Sequence, residues 1–230
     1  MDEPFEQRLQ AVREAIARAA AGAGRAPESV RLLAVGKTFP AAVVRTAYDA
    51  GLRRFGENKI QELELKKPQL PADIEWHFIG HLQSNKAARA VELADWIHSV
   101  DSLKLLNRLD RLAGECGRRP VILLEVNSGE AEKSGVDYAD LPELAAAAAR
   151  AEHLDWRGLM TMAPLCDDPA VWRRAFEKLR DARDGLEATL AVKLPELSMG
   201  MSGDFPTAIA CGSTMVRIGS ALFGRRSYEI

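Results

Sequence analysis

The sequence predicts an α/β protein built as a single (β/α)₈ TIM barrel with an extra N-terminal helix. Eight short apolar runs alternate with amphipathic stretches over about 200 residues, as eight strand-and-helix units would. Several runs are continuously apolar, which is typical of parallel strands covered by helices. No repeat or linker divides the chain, so we expect one domain over residues 1–230. A doubly wound open sheet shows the same alternation, although it more often has five or six strands.

An amphipathic helix over about residues 4–20 comes first. Apolar side chains recur every three or four positions from Phe5 to Ala19, with Glu and Arg on the opposite face. Gly22 and Pro27 then break the pattern. We expect this helix to pack on the barrel.

The strand and helix candidates follow in strict alternation. The apolar runs that predict strands are 31–38, 53–58, 75–80, 95–100, 120–127, 154–162, 196–202 and 215–224. The stretches that predict helices are 40–50, 58–66, 84–93, 102–116, 140–152, 169–188 and 204–210. The clearest helix is 102–116, because Ser102 can cap its start and Gly117 suits its C-terminal end.

Composition excludes several classes of protein. The chain has 31 Lys and Arg against 33 Asp and Glu, a net charge of −2, so no basic field is available for nucleic acid or an anionic membrane. The longest stretch without a charged residue runs from Phe205 to Val216, too short to cross a bilayer. The acidic, polar start lacks a secretory signal. We therefore expect a cytoplasmic protein.

The three cysteines are scattered along the chain. Cys116, Cys166 and Cys211 show no CxxC or CxxH spacing, so neither a disulfide framework nor a zinc site is indicated. We expect three reduced thiols in the core.

Functional residues of a barrel lie at the C-terminal ends of its strands. The residues that close the apolar runs are Lys37, Asn58, His81, Asn127, Met162, Ser202 and Ser220. A partly desolvated lysine in such a place can be an amine nucleophile and form a Schiff base with a carbonyl compound. The alternative for Lys37 is a side chain that simply reaches water.

The last quarter of the chain suggests a phosphate site. Barrels often bind phosphate with the loops after strands seven and eight and a short helix, and both segments here place Gly beside Ser. Ser202 and Ser220 offer hydroxyls, and a helix starting near Asp204 would favour an anion. Together with Lys37, these groups suggest a cofactor that carries both a phosphate and an aldehyde.

Arg217 lies inside the apolar run MVRIG, where its charge needs a partner. One interpretation is a buried or interfacial salt bridge. The other places the guanidinium against an acceptor nitrogen of a cofactor ring.

The histidines do not predict a metal site. His77 and His81 straddle a strand and a loop with no carboxylate ligand close in sequence. His98 and His153 are interpreted as isolated structural histidines. Glu57 is expected to pair with a neighbouring Lys or Arg.

Seven segments together resemble the pyridoxal phosphate homeostasis protein family. From about Arg31 to Gly224 they are, in order, AVGKT, RRFGENKIQE, WHFIGHLQSNK, VNSGEAEKSG, RGLMTMAP, LSMGMSGD and VRIGSALFG. The resemblance implies a barrel similar to the N-terminal domain of alanine racemase and of fold-type III decarboxylases. Two departures are Gly36, where the family usually has serine, and Ala90, where it has an aliphatic residue.

The resemblance also implies a cofactor and its ligands. Pyridoxal 5′-phosphate (PLP) would form a Schiff base with Lys37, and Asn58 would line the pocket wall. The remaining assignments place Ser202, Gly219 and Ser220 at the phosphate and Arg217 at the pyridine nitrogen.

We expect a non-catalytic carrier that acts in PLP (vitamin B6) homeostasis and delivers PLP to apo-enzymes. An arginine at the pyridine nitrogen makes the ring a poor electron sink, and the racemase's catalytic tyrosine comes from a second domain. This chain has only Tyr48, Tyr138 and Tyr228 and no predicted second domain, which also favours a monomer. Two alternatives stay open: a PLP-dependent racemase or decarboxylase with a one-domain site, and a Schiff-base aldolase acting on sugar phosphates.

Overall fold

The computed structural model describes residues 3–129 and 134–224, so Tyr228 and residues 130–133 of VNSGEAEKSG lie outside the described residues. Eight parallel strands close into a barrel in the order β1 to β8. β1 pairs with both β2 and β8, which excludes the open sheet. The strands are β1 Arg31–Val35, β2 Arg54–Glu57, β3 Glu75–Phe78, β4 Trp96–Val100, β5 Val121–Glu125, β6 Asp155–Met160, β7 Glu196–Ser198 and β8 Met215–Ile218.

The helices cover the outside of this barrel. They are α1 Phe5–Gly22, α2 Ala41–Asp49, α3 Ile60–Lys66, α4 Ala87–Leu93, α5 Leu103–Cys116, α6 Leu141–Ala148, α7 Pro169–Leu190, α8 Phe205–Ala210 and α9 Ser220–Phe223. The α5 boundaries follow the sequence signals: Ser102 Oγ accepts a hydrogen bond from Leu105 N at 3.4 Å, and Gly117 is left-handed with φ 63°. The predicted strands and helices are confirmed, with one exception at β8.

The exception is the predicted strand over residues 215–224. β8 ends at Ile218, and Ser220–Phe223 form the short helix α9. Gly219, with φ −114° and ψ −79°, turns the chain out of the strand. The apolar run in the sequence continues past β8 because Leu222 and Phe223 are buried residues of α9 rather than of a strand.

α1 packs across the part of the barrel that carries β8. Its apolar face is buried and contacts α8 and α9. The rings of Phe5 and Phe223 are 5.6 Å apart, and Arg8 Nε donates to Leu222 O at 2.7 Å. The N-terminal helix therefore supports the segment that follows β8.

The barrel interior is part apolar and part polar. One buried layer consists of Leu33, Trp96, Leu123, Met160 and Met215. Buried polar side chains also lie on the strands, among them His77, His98, Ser198 and Arg217. No helix in the described ranges is long and apolar enough to cross a membrane.

The prediction of three core thiols is wrong for two of the cysteines. Cys211 is buried, whereas Cys116 is exposed and Cys166 is half-buried. Cys116 closes α5 on its solvent side, and Cys166 follows β6 in a loop, so neither position requires a buried side chain.

Candidate functional site

A cavity of about 560 Å³ opens at the C-terminal ends of the strands, within the range of small-ligand sites. It is lined by Val35, Lys37, Phe39, Asn58, Ile79, Met162, Met201, Ser202, Gly203, Arg217, Gly219, Ser220 and Gly224. The structure thus brings together all six residues that the resemblance assigns to a cofactor. His81 and Asn127, also strand-end candidates, are not among the lining residues.

The two residues that flank Lys37 are held by a buried ionic cluster that the sequence does not predict as a unit. Lys66 Nζ donates to Gly36 O at 2.9 Å and to Glu57 Oε1 and Glu62 Oε2 at 2.8 Å each. Glu62 Oε2 also accepts from Thr38 N at 2.7 Å. The Lys66 cluster, defined as Lys66, Glu57 and Glu62, therefore fixes the residues on both sides of Lys37.

The carboxylates of the Lys66 cluster have opposite pKa shifts. Burial raises the pKa of Glu57 to about 8 against the opposing charge of Lys66. For Glu62, burial is outweighed by hydrogen bonds from Lys66 and Thr38, which lower its pKa. The expectation that Glu57 pairs with a neighbouring cation is confirmed by its contact with Lys66.

The loops after β7 and β8 present donors to the cavity. The backbone N–H groups of Ser202, Gly203, Gly219 and Ser220 have no acceptor among the described residues. Ser202 Oγ accepts from Ala221 N at 3.4 Å, which joins the loop after β7 to α9. N–H groups that converge in this way suit an anion such as phosphate.

A tight turn after β7 makes this arrangement possible. Gly200 has φ 96°, and an added Cβ would lie 2.6 Å from Ala208 Cβ, so glycine allows the loop to pack on α8. Asp204 caps this turn, since its Oδ1 accepts from Met201 N at 2.5 Å. Burial raises the pKa of Asp204. The helix predicted near Asp204 therefore carries its own carboxylate at its start, whereas Ser220, the first residue of α9, lines the cavity.

Arg217 forms the inner wall of the cavity and is only 4% exposed. Its Nη1 donates to Ser198 O at 2.7 Å and Ser198 Oγ at 2.8 Å, and its Nη2 donates to Thr161 O at 3.0 Å. No carboxylate of residues 3–129 or 134–224 makes an ion pair with it, so the interpretation as a salt bridge buried within the chain does not describe its contacts. Burial lowers its pKa to about 10, which leaves the guanidinium charged at neutral pH.

Two histidines lie behind Arg217. His98 Nδ1 is 3.0 Å from Ser198 Oγ, and His98 Nε2 is 2.9 Å from His77 Nδ1. The prediction that His98 is isolated is therefore wrong, because strand register, which the sequence does not show, places it beside Ser198. His81 instead lies 3.5 Å from Asp101 Oδ2 on the surface.

A second cleft of about 550 Å³ adjoins the cavity. It shares Asn58 and is also lined by Lys59, His81, Gln83 and Lys86. Within the described part of the chain, no three His, Cys, Asp or Glu side chains are grouped to hold a metal ion.

The cavity combines three kinds of group. It contains a lysine amine, a set of N–H donors with two serine hydroxyls, and a fixed guanidinium, separated by apolar side chains such as Ile79 and Met162. This combination fits a ligand with an anionic group at one end and a carbonyl carbon near the amine.

Comparison with known sequences points to one family. Residues 7–227 match the family model described as alanine racemase, N-terminal domain. A pyridoxal phosphate homeostasis protein of Pseudomonas aeruginosa is 48% identical over 217 residues, covering 93% of this chain and 92% of that protein. A protein of the same name from Vibrio alginolyticus is 46% identical over 215 residues, covering 90% and 91%.

Solved structures agree with these sequences. PipY of Synechococcus elongatus, solved with PLP bound, superposes with a TM-score of 0.86 at 43% identity and covers 96% of this chain and 100% of that chain. Alanine racemase from Corynebacterium glutamicum has a TM-score of 0.69 at 19% identity, covering 96% of this chain and 63% of that chain. The second similarity shows a shared fold alone.

Proposed function

The chain belongs to the pyridoxal phosphate homeostasis protein family, and on that premise we propose that it binds PLP covalently and reversibly at Lys37 and acts in PLP homeostasis without catalytic turnover. The observation that carries this proposal is that Lys37 shares a cavity with the N–H groups of the two loops after β7 and β8. The similarity to PipY, whose structure contains PLP, supports it.

The residues present fit PLP at each end. Ser202, Gly203, Gly219 and Ser220 offer backbone donors with no acceptor among the described residues, and a phosphate supplies acceptors for them. When bound, PLP supplies an aldehyde that condenses reversibly with a lysine amine. Lys37 would bind this aldehyde, and Asn58 would line the wall beside it.

Arg217 favours a carrier over an enzyme. A charged guanidinium can only donate hydrogen bonds, so it would bind an unprotonated pyridine nitrogen, which weakens the ring as an electron sink. Neither tyrosine in the described ranges lines the cavity: the Tyr48 hydroxyl donates to Asp73 at 2.7 Å, and Lys178 lies over the Tyr138 ring. These observations support a site that holds PLP without removing protons from amino acids.

The first experiment is an absorption spectrum of the purified protein after incubation with PLP, followed by borohydride reduction and peptide mass mapping. We expect a pyridoxyl adduct on Lys37 that Lys37→Ala abolishes. Lys59→Ala, which changes a lysine of the adjoining cleft, is the matched control and should leave the adduct intact. An adduct on another lysine, or trapping of a sugar phosphate in place of PLP, would contradict the proposal.

Turnover is tested separately. The loaded protein is incubated with each amino acid in D₂O, and α-hydrogen exchange is followed by NMR. We expect no exchange above that of free PLP. Sustained exchange that Lys37→Ala abolishes would instead show a racemase, and Lys37-dependent conversion of an amino acid to an amine and CO₂ would show a decarboxylase.

Delivery to apo-enzymes, a monomeric state and a cytoplasmic location complete the proposed role. Direct delivery predicts that loaded protein activates an apo-enzyme faster than free PLP does, when the free PLP is supplied at the concentration that the loaded protein releases at equilibrium. Equal rates would show a buffer that releases PLP to solution.

A further inference from the structure

Five polar side chains form one hydrogen-bonded line through the barrel interior. Glu75 Oε1 is 2.9 Å from His77 Nε2, and His77 Nδ1 is 2.9 Å from His98 Nε2. His98 Nδ1 is 3.0 Å from Ser198 Oγ, which is 2.8 Å from Arg217 Nη1. This polar chain, defined as Glu75, His77, His98, Ser198 and Arg217, runs from the start of β3 to the cavity wall.

The two ends of the polar chain determine where its protons lie. Arg217 can only donate, and an ionised Glu75 can only accept. A hydrogen bond from His77 lowers the pKa of Glu75 to about 2, so the carboxylate is ionised at neutral pH. Every bond is then satisfied in one arrangement: Ser198 donates to His98 Nδ1, His98 Nε2–H donates to His77 Nδ1, and His77 Nε2–H donates to Glu75.

Burial makes this arrangement costly to disturb. His77, His98 and Ser198 are fully buried, and the Trp96 ring stacks on His77 with centroids 5.1 Å apart. An unpaired polar atom at such a depth is strongly unfavourable. Burial also lowers the pKa of both histidines, which agrees with two neutral rings.

The polar chain determines how Arg217 faces the cavity. Ser198 and Thr161 accept three of the five N–H groups of its guanidinium, and no other described residue accepts the remaining two. In the arrangement that Glu75 imposes, Ser198 Oγ accepts from Arg217 while its own proton is directed to His98 Nδ1. The orientation of the guanidinium thus depends on a histidine from another strand.

We propose that Ser198 and His98 are positioning residues that hold Arg217 in the orientation needed to bind the ring of the cofactor. This inference rests on the proposed function, because it assigns Arg217 to PLP. His77 and Glu75 contribute from the opposite end of the barrel, because their hydrogen bonds keep His98 in one tautomer.

Ser198→Ala tests the proposal, with Ser99→Ala as its matched control. Both serines are fully buried, but Ser99 Oγ has no partner in the described structure and is adjacent to His98 on β4. Each variant removes one buried serine hydroxyl. Only Ser198→Ala breaks the polar chain.

The first readout uses unloaded protein with ¹⁵N-labelled histidine. We expect His77 and His98 to be neutral and protonated at Nε2 alone at pH 7. Ser198→Ala should shift the Nδ1 resonance of His98, because that atom loses its donor, whereas Ser99→Ala should leave it in place. A His98 ring protonated at Nδ1 in the unchanged protein, or the same resonances in both variants, would overturn the proposal.

The second readout is the dissociation constant of PLP and the absorption maximum of loaded protein. We expect Ser198→Ala to weaken binding about five- to tenfold and to move the maximum, with Ser99→Ala within about twofold of the unchanged protein. Equal effects of the two variants would overturn the positioning role. If the unchanged protein takes no PLP, the proposed function fails, and the histidine resonances of unloaded protein still decide whether the polar chain exists.

Discussion

Lys66 has a structural function that its sequence neighbourhood does not show. It is only 3% exposed, and its three hydrogen bonds end on Gly36, Glu57 and Glu62. A buried ammonium is stable only with such partners. The position of the segment that carries Lys37 therefore depends on the charged side chain of Lys66, which belongs to α3.

Lys66→Met keeps most of the side-chain volume and removes the charge. Glu57 would then be buried, and Glu62 half-buried, without their cation, so we expect the free energy of unfolding to fall by about 3 kcal/mol. Burial raises the folded-state pKa of Glu57 above its ordinary 4.5, and stability falls as pH rises between the unfolded and folded values. Lys66 lowers the pKa of Glu57, so without Lys66 that pKa rises above 8 and the variant keeps losing stability at pH values where the unchanged protein no longer does. The loss should therefore be greater at pH 9 than at pH 5.

Urea denaturation at the two pH values measures this difference. Lys67→Met is the control, because Lys67 is half-buried and, among the residues that the structure describes, hydrogen-bonds to Leu93 O alone. Equal losses of unfolding free energy for Lys66→Met and Lys67→Met would show that the Lys66 cluster does not hold the segment from Gly36 to Thr38.

Gly36 gives a second prediction at this scale. A Cβ on Gly36 would lie 3.0 Å from Glu57 Oε1 and 3.1 Å from a Val44 methyl, while Glu57 Oε2 has no partner in the described structure. Gly36→Ala should cost about 1 kcal/mol through crowding. Gly36→Ser should cost less, because its hydroxyl can donate to Glu57. Denaturant unfolding ranks the two variants, and a lower stability for the serine variant would contradict this account.

At the scale of elements, α1 and α9 form a packed pair behind the donor-bearing loops. Phe5 contacts Phe223, and Phe223 also lies 5.2 Å from the ring of Phe39. Because α9 follows Gly219 directly, a shift of α9 would move the N–H groups of Gly219 and Ser220.

Phe5→Ala should therefore weaken both the fold and the site. We expect a loss of about 3 kcal/mol in stability from the cavity and weaker binding of PLP. Ile16→Ala removes a similarly buried side chain from the same face of α1 and should destabilise without a comparable loss of affinity. Calorimetry for stability and PLP titration for affinity separate the two effects, and equal affinity losses would refute the link through α9.

The elements also show where sequence analysis succeeds and fails. Alternating apolar runs predict the eight strands, because each strand must be buried by its neighbouring helices. α9 was missed because its buried Leu222 and Phe223 continue the apolar run of β8, and only the turn at Gly219 separates them. Strand-end position predicts Lys37 and Ser202 at the cavity, yet it also selects His81, which lies on the surface.

At the scale of the whole molecule, closure of the barrel creates contacts that no local pattern contains. His98 and Ser198 are 100 residues apart and belong to β4 and β7, strands that are not neighbours in the sheet. Their contact depends on the tilt and register of the closed barrel. For this reason the polar interior could not be predicted, whereas the cavity wall could.

The polar chain predicts an acid dependence of global stability. The folded-state pKa of Glu75, lowered by its hydrogen bond from His77 to about 2, lies below the ordinary 4.5. A depressed pKa adds stability that is present above pH 4.5 and is lost as pH falls towards 2. Glu75→Gln should therefore be less stable than the unchanged protein at pH 7, with a difference that narrows towards pH 3.

Denaturant unfolding across this pH range provides the measurement. Glu28→Gln is the control, because Glu28 is exposed and makes no hydrogen bond or ion pair in the described structure. A difference that stays constant from pH 7 to pH 3 would show that Glu75 does not contribute through its ionisation.

Packing of α1 against α8 and α9 has a consequence during synthesis. A chain emerging from the ribosome makes its first helix long before residues 205–223, which cover that helix. Until those residues appear, the apolar face of α1 is exposed, and Arg217, Gly219 and Ser220 are absent. A nascent chain thus cannot acquire the cofactor early, and its first helix is a natural target for chaperones that protect exposed apolar surface.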